Sequence, residues 1–185
     1  MKVNVKIKRL SEDAVIPKYA HEWDAGVDLV ATADTIVQPG ETKIVPTGLA
    51  VSLPPNYEMQ IRPRSGITVK TKLRVQLGTV DSGYTGPVGV IVDNITPREL
   101  TVVNNEIYDQ MTYLLYDLEG KEYEVDEDLF ERTSPYVEGT IVIPKGTRIA
   151  QAVINQVEQA QFQVVEELDE TQRGAGGFGS SGVTS

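Results

Sequence analysis

An all-β barrel of jelly-roll type is expected from this sequence on three grounds. Its apolar runs are short, glycine and proline separate them at close intervals, and Val and Ile fill the intervals. Many short strands with turns this frequent favour a barrel or jelly roll. The opening "MKVNVKIKRL" alternates Val3, Val5 and Ile7 with polar neighbours, as a strand does and the continuous apolar core of a signal peptide does not. "TIVQPGETKIVPTGLAVSLPPNY" carries Pro39-Gly40 and Pro46-Thr47-Gly48 as turn signals. "QLGTVDSGYTGPVGVIVDN" and "GTIVIPKGTRIAQAVI" repeat the style.

The 185 residues, 40% of them apolar, suffice for one domain with a core, or for one domain and an elaboration. No apolar stretch is long enough to span a bilayer. The absence of cysteine rules out disulfides and thiolate metal sites and suits a reducing, cytoplasmic setting. His21, the single histidine, excludes a multi-histidine metal centre and disfavours a histidine-based triad. A net charge of -10 argues against direct nucleic-acid binding.

One segment departs from the pattern. Between Arg98 and Glu138 stand twelve acidic and three basic residues, so nearly all the excess negative charge lies there. Residues 98–138 therefore read as an acidic insertion in a β domain made of 1–97 and 139–170. Within the insertion, Ile107, Met111, Leu114, Leu115 and Leu118 fall on one helical stripe, with Asn104 or Asn105 as a cap and Gly120 as a stop. A partly helical insertion is expected. It holds five of the eight tyrosines: Tyr108, Tyr113, Tyr116, Tyr123 and Tyr136. An acidic surface with exposed aromatics suits a basic protein partner, such as the nucleic-acid-binding face of a DNA-binding protein, and equally suits a solvated decoration packed on the barrel.

Five short motifs can carry chemistry, and each also has an ordinary turn reading. "RPRSG" offers Arg64 to grip a phosphate bidentately, with the Ser65 hydroxyl and the Gly66 amide as further donors. "GTVDSGYTG", residues 78–86, reads as a β-hairpin that presents Asp81 as a general base and Tyr84 as a platform for a sugar. In "AGVDL", Asp28 lies between Val27 and Leu29, so it faces away from the core and can meet a hydrated Mg²⁺. "GTRIAQ" offers Gln151 as a neutral hydrogen-bonding group near phosphate. "RGAGGFGSSG", in the glycine-rich segment 171–185, offers Arg173, Phe178 and the hydroxyls of Ser180 and Ser181 to a nucleotide, or is simply flexible coil.

In this order the five motifs closely resemble those of the trimeric dUTPase family. The resemblance runs from "PKYAHEWDAGVDLVA" through the last residues and omits only the segment around 98–138. It implies a homotrimer of distorted jelly-roll barrels with active sites at the subunit interfaces. It also implies dUTP as substrate, dUMP and pyrophosphate as products, and Mg²⁺ as cofactor. Carried across, Asp81 would activate the water that attacks the α-phosphorus, and Tyr84 would lie against the deoxyribose. The backbone around Gly78 would read uracil. Arg64, Ser65, Gly66 and Gln151 would hold the phosphates and order the water, and Asp28 would reach Mg²⁺ through water. Arg173, Phe178, Gly179 and Ser180 would close over the nucleotide as part of a C-terminal arm.

Two departures stand out. Val75 occupies a position where many bacterial members carry asparagine, which shifts uracil recognition towards backbone groups or Gln76. The insertion is the other; it resembles that of phage-encoded members, some of which bind repressor proteins, and a host cytoplasm is then the expected location. A dCTP deaminase shares the fold, but Ile91 in "VIVDN" stands where that family needs a glutamate.

Overall fold

The computed structural model describes residues 3–124 and 135–177. Two four-stranded antiparallel sheets form the barrel. One orders β1 (Lys6–Arg9), β4 (Thr42–Ser52), β8 (Pro87–Asn94) and β6 (Leu73–Val75). The other orders β2 (Val27–Val30), β14 (Arg148–Gln156), β5 (Tyr57–Pro63) and β7 (Gly78–Asp81). A third pair joins β3 (Thr35–Val37) to β13 (Ile141–Ile143).

The sequence alternates because the sheets do. In β8, Val88, Val90 and Val92 point inward and are buried, while Ile91 between them is exposed. Met59 and Ile61 of β5 meet Leu29, Ile149 and Ala152 from the same sheet and Leu49, Val90 and Leu73 from the other in one continuous core. Leu73 is fully buried, and truncation of such a leucine to alanine costs about 2–5 kcal/mol. Register slips by two positions between Pro46 and Leu49, where Gly48 adopts φ +63. A Cβ at Gly48 would stand 2.4 Å from the Ser11 hydroxyl, so glycine is required there on two counts.

Buried Asn94 fastens the base of the insertion. Its amide donates to Val37 O and Gly139 O at 2.9 Å each, and its Oδ1 accepts from the Thr96 amide. The chain thus leaves the barrel near Thr96 and returns at Gly139 through one satisfied side chain.

The expected helix between Asn104 and Gly120 is not formed. Residues there build a hairpin, β9 (Leu100–Val103) with β10 (Glu106–Asp109), followed by β11 (Met111–Thr112), which pairs with β12 (Tyr136–Val137). Asn104 and Asn105 have φ of 52° and 68°, the left-handed conformation that a two-residue hairpin turn demands and a helix forbids. Turn chemistry overrides the apolar stripe. Leu115, Tyr136 and Val142 form a second, smaller core with the barrel strand β13. Tyr136 is completely buried, so the end of the segment is anchored in the domain.

Candidate active site

Strand β5 ends at Pro63, and the chain turns at Arg64 into a six-residue helix, α1 (Ser65–Lys70), pinned to the core by buried Ile67. No side chain caps the helix, which leaves the first-turn amides around Ser65 and Gly66 without a side-chain acceptor. A Cβ added at Gly66 meets nothing within 4 Å, because this residue borders open space. That space is a cleft of about 690 Å³. Arg64, Ser65 and Gly66, Gln151 and Arg148 of β14, and the 144–147 turn all line it.

Sheet register explains the grouping. Gln151 stands opposite Asp28 on β2 and opposite Arg62 on β5, so motifs far apart in sequence share one row. Arg64 bridges the row: its Nε lies 3.0 Å from Asp28 Oδ1, and its Nη1 donates to Arg148 O at 2.9 Å. Arg148 Nη1 lies 3.6 Å from Asp28 Oδ2. A carboxylate that holds two guanidinium groups fixes their direction, which an anion-binding fork requires. Four cationic side chains, Arg64, Lys70, Lys145 and Arg148, line the cleft against the two carboxylates Asp117 and Glu119. Asp28 pairs with both arginines and Asp13 with Lys145 at 2.7 Å, so an anion in the cleft would share these cations with carboxylates already in place.

Asp81, Tyr84 and Gly78 lie elsewhere in the chain. β7 pairs with β5, whereas β8 pairs with β4 and β6, so "GTVDSGYTG" crosses between the sheets instead of closing a two-stranded hairpin. Asp81 ends β7 opposite Glu58, four residues along β5 from Arg62. With about 3.3 Å per residue and about 4.8 Å per strand, Asp81 and Gln151 of one chain are roughly 16 Å apart. Asp81 accepts the Tyr84 amide at 3.0 Å through its backbone oxygen, and the Tyr84 hydroxyl donates to Pro87 O at 2.9 Å. A Cβ on Gly86 would stand 2.6 Å from that hydroxyl, so the ring's place depends on glycine. A Cβ on Gly78 would crowd Ile61 at 3.3 Å.

Val75 is buried in the core, and the Gln76 side chain is hydrogen-bonded to Asp93. Arg173 donates to Gly176 O at 2.8 Å and is absent from the cleft lining. Phe178, Gly179, Ser180 and Ser181 lie outside the described residues. Sequence reasoning passed over Lys70, Lys145 and Arg148; Arg148 stood inside "GTRIAQ", and its signal was the guanidinium itself. It also passed over Asp117, Leu118 and Glu119, whose position at the cleft follows from tertiary packing alone.

Among the described residues no group of three metal-binding side chains exists. Asp28 is a single carboxylate already shared by two arginines; it would suit a hydrated Mg²⁺ that brings most of its own ligands and not one caged by the protein.

Comparison with known proteins agrees with this geometry. The dUTPase family model matches residues 12–139 and 133–182. The deoxyuridine 5'-triphosphate nucleotidohydrolase of Gloeothece citriformis is 37% identical over 99% of this chain and 99% of its own. That of Nautilia profundicola is 38% identical over 97% and 99%. The Staphylococcus bacteriophage 80alpha dUTPase with dUpNHpp superposes with a TM-score of 0.82 at 31% identity, covering 97% of this chain and 99% of that one. The dUTPase from phage phi11 of S. aureus, solved to visualise a species-specific insert, gives 0.74 at 28% identity, covering 91% and 99%. The family model and the curated relatives make this β-barrel protein a nucleotide hydrolase. The chain belongs to the dUTPase family.

Proposed function

We infer that this enzyme hydrolyses dUTP to dUMP and pyrophosphate at a site shared between subunits of a homotrimer. The separation of Asp81 from Gln151 and Arg64 carries this reading, since the two cannot meet one phosphate within a single chain. A second copy supplies the missing half.

Asp81 takes a proton from the water that attacks the α-phosphorus. The bond from that phosphorus to the bridging oxygen breaks, and pyrophosphate leaves with the electron pair. Arg64, Ser65, the Gly66 amide and Gln151 hold the phosphates in line, which is most of what phosphoryl chemistry asks of a protein. A Mg²⁺ met by Asp28 through water would supply charge neutralisation. Tyr84 packs on the deoxyribose and leaves no room for a 2′-hydroxyl, and the backbone around Gly78 reads uracil. Arg173, Phe178, Gly179 and Ser180 complete the enclosure and exclude water. Hydrolysis in ¹⁸O-water tests this chemistry: the label should appear in dUMP, and label in pyrophosphate would refute attack at the α-phosphorus. Pyrophosphate release from dUTP should exceed that from dCTP, dTTP and UTP.

The insertion supports a second role. Leu100, Val102 and Ile107 share one face of the β9–β10 hairpin and are all more than half exposed, in a strongly acidic segment. This face binds a basic protein, such as a DNA-binding repressor. Acidic charge steers the encounter, and the apolar row supplies the contact.

A further inference from the structure

We propose that the insertion segment 115–123 is a working part of the phosphate cleft: Leu118 and Glu119 form one of its walls, and Tyr123 positions the 144–147 turn that faces Arg64. The proposal rests on the reading of this cleft as the site of dUTP phosphates.

Three connections carry it. The turn after Tyr116 is built by Asp117, whose Oδ1 accepts the amides of Glu119 at 2.8 Å and Lys121 at 3.0 Å. That geometry presents Leu118 to the main barrel core, where it packs as a partly buried side chain at the cleft. Backbone pairing is the second connection. Val142 N donates to Tyr116 O at 3.0 Å, two residues before Pro144, and buried Leu115 packs on Val142 from the same side.

The third connection reaches the cations. The Tyr123 hydroxyl donates to Asp34 Oδ2 at 2.7 Å, while Asp34 Oδ1 accepts the Lys145 amide at 2.7 Å. Asp34 is therefore clamped between the insertion and the turn that carries Lys145. Gly146 N donates to Ala31 O at 2.9 Å, which closes the turn on the strand leading from Asp28. Lys145 lies in this turn and Arg148 follows it, so a shift in the turn moves two of the four cations of the cleft. Tyr123 acts through Asp34 and is a positioning residue.

Tyr123→Phe removes one hydroxyl and keeps the ring, so the protein should fold. It should raise KM for dUTP about three- to tenfold with kcat within twofold, since one lost hydrogen bond acts on the cleft and leaves Asp81 alone. In the nucleotide-free trimer, hydrogen exchange of the Lys145 to Thr147 amides should quicken about five- to tenfold. Asp34→Asn should reproduce both effects, and the double variant should add little, because the two residues form one link. Unchanged KM and unchanged exchange in Tyr123→Phe would overturn the proposal while wild-type dUTP hydrolysis upheld the activity. If wild-type protein fails to hydrolyse dUTP, the activity reading falls. Exchange at Lys145 then judges the link alone: quickening supports it, and no change overturns it.

Discussion

Arg64 and Asp28 meet at 3.0 Å beside the cleft that Arg64 lines, and Asp28 also reaches Arg148 from its other oxygen. The carboxylate does not cancel the guanidinium groups; it aims them. Arg64 spends Nε on Asp28 and Nη1 on Arg148 O, which leaves Nη2 for a phosphate. Lysine offers no such fork. Arg64→Lys should lower kcat/KM for dUTP on the order of 10²-fold with a melting temperature within a few degrees of wild type. Steady-state kinetics and calorimetry check both parts, and near-normal kcat/KM would show that charge alone suffices.

Asp81→Ala should lower kcat by about 10³-fold or more and leave affinity for a non-hydrolysable dUTP analogue within a few-fold, because a general base acts in the transition state. Titration calorimetry with the analogue separates the two effects. Lost affinity with retained turnover would assign Asp81 to binding.

Gly86→Ala drives a methyl group into the Tyr84 ring, which must shift and give up the hydroxyl's bond to Pro87 O. Displacing the ring should open space beside the sugar. The ratio of UTP to dUTP hydrolysis should rise about tenfold, measured as relative kcat/KM. An unchanged ratio would remove Tyr84 from sugar selection.

The hairpin can be excised without touching the barrel. Gln110 N donates to Glu99 O at 2.7 Å, so a short turn can replace residues 100–109. The shortened enzyme should keep its melting temperature and its dUTP hydrolysis. Pull-down of a basic partner by the intact enzyme should disappear, and salt should weaken the intact complex, since exposed charges are screened within about 8 Å at physiological ionic strength. Retained pull-down would place the contact elsewhere.

That "RPRSG" and "GTRIAQ" carry the donors of one cleft was legible in the sequence, because both concentrate donors in a chain of few basic clusters. Asp28 was legible from alternation, since Leu29 points into the core and its neighbour points out. The insertion was misread because Ile107, Met111, Leu114 and Leu118 fit a helical period by spacing alone. The decisive signal was local, two asparagines that accept positive φ. Leu115 and Tyr136 meet Val142 across long stretches of chain, and no local pattern encodes that contact. Likewise, "GTVDSGYTG" has the turn residues of a hairpin, and only the pairing of β7 with β5 shows that it joins two sheets.

Truncation after Glu170 should leave a folded trimer with poor dUTP hydrolysis. Val157 N donates to Asn56 O, and further along the arm Gly174 N donates to Thr171 O and Gly176 N to Arg173 O, both bonds within residues 171–176. Circular dichroism and turnover check this, and full activity without the arm would deny it a part in closing the site.

Asp81 and Arg64 come from different subunits in this account, and mixed trimers put that arrangement to the test. Asp81→Ala and Arg64→Ala, each nearly inactive alone, would be co-expressed with different tags and the mixed trimers purified on both. Sites that take Arg64 from one chain and Asp81 from the other should regain activity, to about a third of wild type, because each doubly purified trimer holds one such site among its three. Mixed trimers that stay as inactive as the separate variants would contradict a shared site and place both residues' work within one chain.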